Sequence, residues 1–397
     1  MAESQKIINL NDILSKYYKV DLMVYEQSFT QYWKPTLCEL KVLIEKKKAE
    51  PEELFYFVKM CEQDIKVYIR IDHLSNFKTE VDFYDTAVPA MTEFQRRKSI
   101  YARTYQNLFP KCIGARVSAE QGKRLPDESG ILLFEHLGRM GYMNPSPTEG
   151  LYMSACEIVL ANLAEMHATP IAMRILCLPD FKSKVVPCLI NTKQPKIRSR
   201  RYKKINEMLD ELGDFDFEML PYIPSVKRTI EMIKHNTLFN DSFSDETWIT
   251  LCHSNFSILN VMLKYDTKTA IPIACKLLDF KTLEYSYCFN DLVFFLSTSI
   301  NSTLFKYHFD FMLESYFSSF IQVLMEYDID LVAYSRNNFH KHLNIQAPNM
   351  ILKILQALPY IACNKYGEDG EPILGSKFKR RLRDIIILFL SRDWLKN

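Results

Sequence analysis

The order of apolar and polar positions divides the first third of the chain into short elements. Over residues 6–34 apolar side chains recur at helical spacing, which predicts an N-terminal helical extension. Three runs rich in β-branched and aromatic residues follow, over 37–45, 54–60 and 66–71, and they predict strands. A helix is predicted over 91–109, because its apolar residues recur at intervals of three, four and seven. The segments CIGARVSA and GILLFEHL then predict two further strands.

Three strands, a helix and two strands follow one another in the order of a protein-kinase small lobe. Beyond them the pattern is mainly helical, apart from short apolar strands around a polar loop at 247–280. The predicted fold class is therefore α+β: a two-lobed, protein-kinase-like fold with a small antiparallel-sheet lobe and a large, mainly helical lobe. The predicted boundaries are 1–36 for the extension, 37–137 for the small lobe and 138–397 for the large lobe.

The large lobe is predicted to carry a helical insertion, at about 190–220, with two opposite charge runs. Residues 192–204 hold seven basic and no acidic side chains, and the acidic stretch DELGDFDFE occupies 210–218. Two interpretations stay open. The insertion is a solvated helical surface whose charge runs lie near each other, or it binds an anionic ligand or a protein partner.

Composition and charge exclude several classes of protein. The net charge is +2, so no overall field points to nucleic acid. The ten cysteines form no Cys-x-x-Cys pair, which argues against a zinc site and for reduced thiols. The N-terminus lacks a signal-peptide pattern and the apolar runs are too short for a bilayer, so we expect a cytoplasmic protein without a membrane span.

Glycine is scarce in this chain and badly placed for phosphate binding. There are 10 glycines among 397 residues, and all lie at Gly114 or later. A glycine-rich phosphate loop near the N-terminus is therefore excluded. Between the first two predicted strands stands KKKAEPEE (46–53), which contains Pro51 and cannot wrap its backbone around phosphates as glycine does.

A constellation typical of phosphoryl transfer nevertheless lies further along the chain. His253, Ser254 and Asn255 are followed by Asn260 five residues after Asn255, and by Asp279 nineteen residues later. Phosphoryl transfer needs a carboxylate near the acceptor hydroxyl, an amide oxygen on Mg²⁺ and a second carboxylate on Mg²⁺. The spacing therefore predicts Asn260 and Asp279 as magnesium ligands.

Several neighbouring motifs resemble those of one family, in order along the chain. They are FEHL (134–137), GL (150–151), LAEMHAT (163–169), LCHSNFSILNVMLKYD (251–266), LLDFK (277–281), DLVFFLSTS (291–299), LPYIACN (358–364) and RLRDIIILFLSRDWL (381–395). From about residue 66 to the C-terminus the chain resembles the ecdysteroid-kinase-like family, also called CHK kinase-like, which is expanded in insects and nematodes. The resemblance implies ATP and Mg²⁺ as cofactors and a hydroxyl of an ecdysteroid, choline-like or related small molecule as acceptor.

The departures from the family pattern concern the catalytic position and the nucleotide side. Asn255 stands where the family has its catalytic-base Asp, and an amide cannot accept a proton. Ser254 replaces a glycine, and His253 is expected to have a structural role. The third predicted strand has Arg70 in place of the phosphate-binding Lys. The remaining candidate nucleotide contacts are Arg97 with Glu93 as a substitute partner one turn away, and Glu135 and Leu137 after the fifth strand.

Three hypotheses follow from these observations. The favoured one is a degenerate, catalytically weak or inactive pseudokinase that binds a small ligand or a partner, with ATP and Mg²⁺ held weakly or not at all. The second is an active ATP-dependent kinase for a hydroxylated small molecule, because positioning and electrostatics carry most of phosphoryl transfer. The third is a protein-interaction module that uses the basic 192–204 face.

Overall fold

Alternating apolar residues build a five-stranded antiparallel sheet in the N-terminal part of this computed structural model. The structure describes residues 6–34, 36–46, 50–62, 67–189, 199–235, 245–363, 365–368 and 370–396. The strands are β1 (Leu22–Lys34), β2 (Leu37–Lys46), β3 (Glu52–Met60), β4 (Cys112–Arg116) and β5 (Ile131–Glu135). Their spatial order is β1-β2-β3-β5-β4, and every neighbouring pair is antiparallel.

One face of this sheet is covered by helix α1 (Leu10–Tyr18). Leu10 and Leu14 of the helix are buried in one core with Leu40 and Val42 of β2 and Val58 of β3. Because side chains alternate between the two faces of a strand, the residues next to these point to the opposite face. That opposite face carries the polar side chains described in the next subsection.

The predicted N-terminal helical extension is correct for α1 and wrong for residues 22–34, which form strand β1. The pairing of β1 with β2 contains three register shifts, at Val24/Glu26, Phe29/Gln31 and Tyr32/Lys34. Each such irregularity interrupts the two-residue alternation of a strand. The apolar residues of β1 therefore fall at spacings that resemble those of a helix.

The predicted third strand at 66–71 is also wrong, because the chain is helical from Val67 onward. Helix α2 (Val67–Asp82), a wider turn at Phe83–Ala87 and helix α3 (Val88–Arg97) follow without a break. The β-branched residues at 67–71 favour a strand locally, but a segment forms a strand only where a neighbouring strand can pair with it. In this sheet the third strand along the chain is formed by residues 52–60. The order of three strands, a helix and two strands is thus confirmed, with its first three strands displaced toward the N-terminus.

The helix predicted over 91–109 ends much earlier, at Arg97. Ser99 has a φ of 59°, in the left-handed region that an α-helix cannot continue through, and a short turn at Tyr105–Leu108 follows. Tyr105 and Leu108 are buried, as their apolar spacing indicated, although they lie outside the helix.

The chain divides into two compact units. The first comprises residues 1–143, 173–190 and 275–283, and the second comprises 144–172, 191–274 and 284–397. Both helices and strands occur in the remainder of the chain. These elements are β6 (Tyr142–Met143), α4 (Met153–Leu176), α5 (Leu178–Asp180), α6 (Ser199–Phe215), α7 (Ile223–Lys234), β7 (Ile249–Cys252), β8 (Val261–Tyr265), β9 (Pro272–Leu277), β10 (Glu284–Tyr287), α8 (Cys288–Ser299), α9 (Ser302–Tyr307), α10 (Phe309–Glu326), α11 (Arg336–Gln346), α12 (Met350–Ala362) and α13 (Ser376–Ser391).

The second unit is organised around the buried helix α8. Nearly all of its residues are buried, which is expected for a helix that is apolar on every side. Trp248, just before β7, packs against Phe289 of α8 and against Phe320 and Phe339 of neighbouring helices. None of the helices in the described ranges is both long and apolar enough to span a bilayer.

Candidate functional site

The first unit contains a cluster of charged side chains centred on Lys59. The Nζ atom of Lys59 contacts a carboxylate oxygen of Glu80 and lies 2.8 Å from Oδ1 of Asp279. Lys281 lies 2.8 Å from the other oxygen, Oδ2, of Asp279. The Glu80 side chain is almost completely buried, whereas Asp279 keeps 23% of its side-chain surface exposed. Solvent and ligands can therefore reach this cluster from the side of Asp279.

Secondary structure explains how these groups meet. Lys59 lies on β3 between Val58 and Met60, which face the core under α1, so its own side chain points to the opposite face of the sheet. Glu80 lies on α2, where the flanking residues Phe77 and Val81 are buried. The helix therefore presents a carboxylate to the strand lysine.

Asp279 is held by an aromatic cluster around the residue that follows it. Phe280 is fully buried and stacks on Phe83 at a centroid distance of 4.4 Å, and it meets Phe109 edge-on at 4.9 Å. Asp279 itself has a φ of 66°, a left-handed conformation that is uncommon for a residue with a side chain. Packing of Phe280 thus fixes a strained backbone at which the carboxylate projects toward Lys59.

Mutual electrostatics keep Lys59 and Asp279 ionised. Burial alone would lower the pKa of Lys59, but the carboxylates of Glu80 and Asp279 outweigh it and raise that pKa. Burial alone would raise the pKa of Asp279, but Lys59 and Lys281 outweigh it and lower that pKa. For Glu80 burial dominates and raises the pKa, only partly opposed by Lys59. The cluster therefore presents a cation held between two acidic groups.

Arg70, Glu93 and Arg97, which the sequence predicted as nucleotide contacts, lie on helices α2 and α3. Arg70 was chosen because of the supposed third strand, and residue 70 belongs instead to helix α2. Glu93 pairs with Arg96 one turn along α3, at 2.7 Å. Arg97 is paired with Asp180 at 2.6 Å. Neither of these two pairs involves Lys59 or Asp279. The sequence did not predict Lys59 or Glu80 as site residues.

The connection between the first two strands is not KKKAEPEE. Because β1 is a strand, the first hairpin connection lies between Lys34 and Leu37. KKKAEPEE joins β2 to β3 instead, and its residues 47–49 lie outside the described residues. The first hairpin connection also lacks glycine, so the conclusion from glycine scarcity holds at the corrected place.

The segment after β5 carries the other two predicted nucleotide contacts. Glu135 accepts a hydrogen bond from the backbone N–H of Lys111 at 3.0 Å, and Leu137 is buried at the start of a one-turn helix. Two residues on, Arg139 donates to Glu39 of β2 at 2.7 Å. The hydrogen bond from Arg139 outweighs burial and lowers the pKa of Glu39 to about 2. An ion pair therefore ties this segment to the sheet.

In the second unit the segment 253–260 forms a loop that a buried carboxylate holds from behind. Asp291 of α8 accepts hydrogen bonds from the backbone N–H groups of His253, at 2.6 Å, and Ser254, at 2.8 Å. His253 is fully buried, and its Nδ1 accepts the N–H of Asn255 at 3.2 Å. Asn260 donates through Nδ2 to the carbonyl of Asn255 at 2.9 Å, so its Oδ1 is left as the acceptor.

Ser254 stands in this loop where the family pattern has glycine. Its φ is 60°, the left-handed conformation that glycine adopts without strain. Its hydroxyl donates to Glu284 of β10 at 2.9 Å. A side-chain hydrogen bond thus offsets part of the cost of placing serine at this position.

A buried His, Cys and Asp group lies behind the loop. His167, Cys252 and Asp291 bring their donor atoms within 4.8 Å of one another, a spacing that could suit a metal ion. The histidine already contacts the hydroxyl of Tyr316 at 2.8 Å and Asp291 at 3.3 Å, and Cys252 donates to the Ser286 carbonyl at 3.2 Å. These partners account for the group as part of the core.

The basic segment 192–204 is described only from residue 199, the first residue of α6. In that helix Lys203 pairs with Glu207, and Lys204 contacts Glu371. The acidic run at the end of α6 is paired as well, since Asp210 contacts Lys227 at 2.8 Å. The described part of both charge runs is therefore a surface with internal ion pairs.

Three solved structures similar to the chain are all phosphotransferases. A mutant aminoglycoside 2'-phosphotransferase-IIIa in complex with GDP matches over 98% of this chain and 100% of its own, with 10% identity and a TM-score of 0.42. The Plasmodium vivax ethanolamine kinase matches over 96% and 85%, with 12% identity and a TM-score of 0.36. The choline kinase of Streptococcus pneumoniae matches over 95% and 97%, with 12% identity and a TM-score of 0.33.

Among curated proteins no match to the chain is found. A family model, by contrast, matches residues 35–328, and it describes the ecdysteroid kinase-like family. The match covers strands β2 to β5 of the first-unit sheet, the Lys59 cluster and the 253–260 loop, which confirms the resemblance seen in the sequence motifs. The chain belongs to the ecdysteroid kinase-like family.

Proposed function

We propose that this protein binds a magnesium-bound nucleoside triphosphate, and that its transfer of the terminal phosphoryl group to a hydroxylated small molecule is weakened by Asn255. The position of Lys59 between Glu80 and Asp279 carries this proposal. In kinases a lysine of the third strand pairs with the phosphates and with a glutamate of the following helix. Lys59 on β3 and Glu80 on α2 have those places.

The donor atoms suit magnesium. Mg²⁺ prefers oxygen ligands, especially carboxylates, and retains several waters. Asp279 offers a carboxylate whose Oδ2 contacts Lys281, a side chain that is 41% exposed. Asn260 offers its Oδ1, because its Nδ2 is used by the carbonyl of Asn255. We propose each of these two side chains as a magnesium ligand because each has an oxygen atom that can coordinate the ion.

Magnesium would neutralise phosphate charge, and the chain's own groups would do the rest. Lys59 would hold phosphate oxygens while Glu80 keeps its ammonium in place. Leu137 and the backbone beside Glu135 are proposed to contact the base of the nucleotide. No glycine-rich turn contributes to phosphate binding, so we expect weaker nucleotide affinity than in a kinase that has one.

The weak point is the transfer step. The family's base position would orient the acceptor hydroxyl and receive its proton, and Asn255 can do only the first through its amide. We therefore keep the hypothesis of a degenerate kinase but propose fewer defects than the sequence suggested. The lysine and glutamate are present, and the deficit is confined to Asn255 and the missing glycines.

Calorimetric titration with Mg-ATP tests the proposal. We expect saturable binding to the full chain, and an affinity at least tenfold lower in Lys59→Met. Lys78→Met is the matched control, because Lys78 lies on α2 and pairs with Asp82 at its partly exposed surface. The absence of saturable heat at millimolar ATP, or equal losses in the two variants, would contradict it.

A further inference from the structure

The three tryptophans of the chain differ sharply in exposure. Trp248 and Trp394 are almost completely buried, with 0% and 1% of their surface exposed. Trp33 lies near the end of β1, close to the first hairpin connection, and keeps 45% of its surface exposed. A half-exposed indole offers a large, flat, apolar surface to a ligand.

This indole lies on the same face of the sheet as Lys59. It stacks in a tilted arrangement on the Phe57 ring, with the two centroids 5.3 Å apart. Phe57 and Lys59 are two residues apart on β3, so both side chains point away from the core under α1. This spacing places them about 7 Å apart along the strand. Trp33 therefore stands beside the lysine that we propose to hold phosphates.

Among the rings of Phe55, Phe57 and Trp33 on this face, the indole is the most exposed. The guanidinium of Arg139 lies over the Phe55 ring, 3.5 Å from its centroid, and an ion pair of 2.7 Å with Glu39 holds it there. The Phe57 ring is covered by the indole itself. A flat ligand on this face would therefore meet the indole rather than either phenylalanine.

The segment after β5 brings the indole next to the residues that we propose to contact the base. The His136 ring lies 5.9 Å from the indole, and His136 stands between Glu135 and Leu137. The imidazole is itself held, because its Nδ1 accepts the N–H of Arg139 at 3.2 Å and its Nε2 lies 3.0 Å from Glu39. Partners on two sides thus fix the indole in advance, which lowers the entropic cost of binding.

We propose that the aromatic base of the nucleotide stacks on Trp33, and that this contact supplies affinity that a glycine-rich loop supplies in a kinase that has one. The inference rests on the proposed function, because it needs the phosphates of the same nucleotide at Lys59. Every nucleobase has a flat π-face, and its stacking on an aromatic side chain is favourable. The site therefore recognises its phosphate donor by the base as well as by the phosphates.

Fluorescence and calorimetry of the full chain test this contact. Mg-ATP should quench tryptophan emission saturably, and Trp33→Leu should lose this quenching, because the other two tryptophans are buried. In calorimetry Trp33→Leu should weaken Mg-ATP binding about 5-fold to 150-fold, the usual contribution of one stacked base. Trp33→Phe, which keeps a ring, should recover most of the affinity. Mg-tripolyphosphate, which has phosphates and no base, should bind wild type and Trp33→Leu equally.

Tyr32→Leu is the matched control. Tyr32 is the neighbouring exposed aromatic residue of β1, but it contacts Phe29 and pairs with Cys38, whose side chain is in the core under α1. This variant should bind Mg-ATP as wild type does. Unchanged Mg-ATP affinity in Trp33→Leu, or an equal loss for Mg-tripolyphosphate, would overturn the inference and leave the proposed function standing. Failure of both ligands to bind wild type would overturn the proposed function itself, and this inference with it.

Discussion

The Lys59 cluster of the first unit and the 253–260 loop of the second unit differ in how many charged side chains they contain. At Lys59 four ionisable side chains meet, and the acidic partners hold the lysine in place. In the loop, the uncharged Asn255 stands where the family pattern has an aspartate. The buried carboxylate of Asp291 lies behind the loop and accepts hydrogen bonds from backbone N–H groups. The first region has the groups that we propose to bind phosphates, and the second lacks the carboxylate that we propose phosphoryl transfer to need.

Restoring charge in the loop should have the largest effect. In Asn255→Asp we expect phosphoryl transfer to rise by about 10²–10⁴-fold, the usual contribution of a general base. The measurement is product formation from ATP with a panel of ecdysteroids and choline. Asn255→Ala is the control and should transfer no faster than wild type, because it adds no base and removes the amide. Equal rates in all three proteins would show that the deficit lies elsewhere, at the nucleotide.

The site residues of the two regions differ in how well they can be identified from the sequence. Asn255, Asn260 and Asp279 lie within one stretch, where spacing along the chain alone brings them out. The sequence therefore brings out these three residues together, and the structural role expected of His253 agrees with its complete burial.

Lys59 and Glu80 could not be found in the same way. They are 21 residues apart, and their pairing depends on which strand is the third. The register shifts of β1 hid a strand inside an apparently helical pattern, so the lysine position was displaced onto Arg70. One local error in counting strands thus changed two site residues. The signal that was available is the single lysine in the apolar strand LFYFVKM, followed by a glutamate between buried Phe77 and Val81.

The anchor behind the loop is the next test of the comparison. In Asp291→Asn one of the two backbone N–H donors of His253 and Ser254 loses its acceptor, because an amide offers one oxygen. We expect the free energy of unfolding to fall by about 2–3 kcal/mol, because a buried N–H group is left without an acceptor and the charge that strengthened the hydrogen bonds is removed. Urea denaturation measures it. Asp310→Asn, at an exposed ion pair with Arg392, should change little, and similar losses in both would deny Asp291 its anchoring role.

The charge cluster should show its own pH dependence. The pKa of Asp279 is lowered in the folded state, so its contribution to stability is present above its unfolded pKa, about 3.9, and is lost as pH falls toward the folded value. Asp279→Asn should therefore cost about 2 kcal/mol at pH 7. The cost should shrink as pH falls below 4. Urea midpoints of both proteins between pH 7 and pH 3 measure this, and a constant difference would mean that the ion pair contributes nothing.

Both regions contain a left-handed residue that is not glycine, and Ser254 allows the strain to be weighed against a hydrogen bond. Ser254→Ala keeps the strain and removes the bond to Glu284, whereas Ser254→Gly removes both. We expect Ser254→Gly to be more stable than Ser254→Ala by about 1 kcal/mol, because a side chain in the left-handed region costs roughly that much. Urea midpoints of the two variants and of wild type separate the terms. If the two variants are equally stable, the backbone at Ser254 carries no strain, and the hydroxyl bond to Glu284 alone explains why serine is tolerated where the family has glycine.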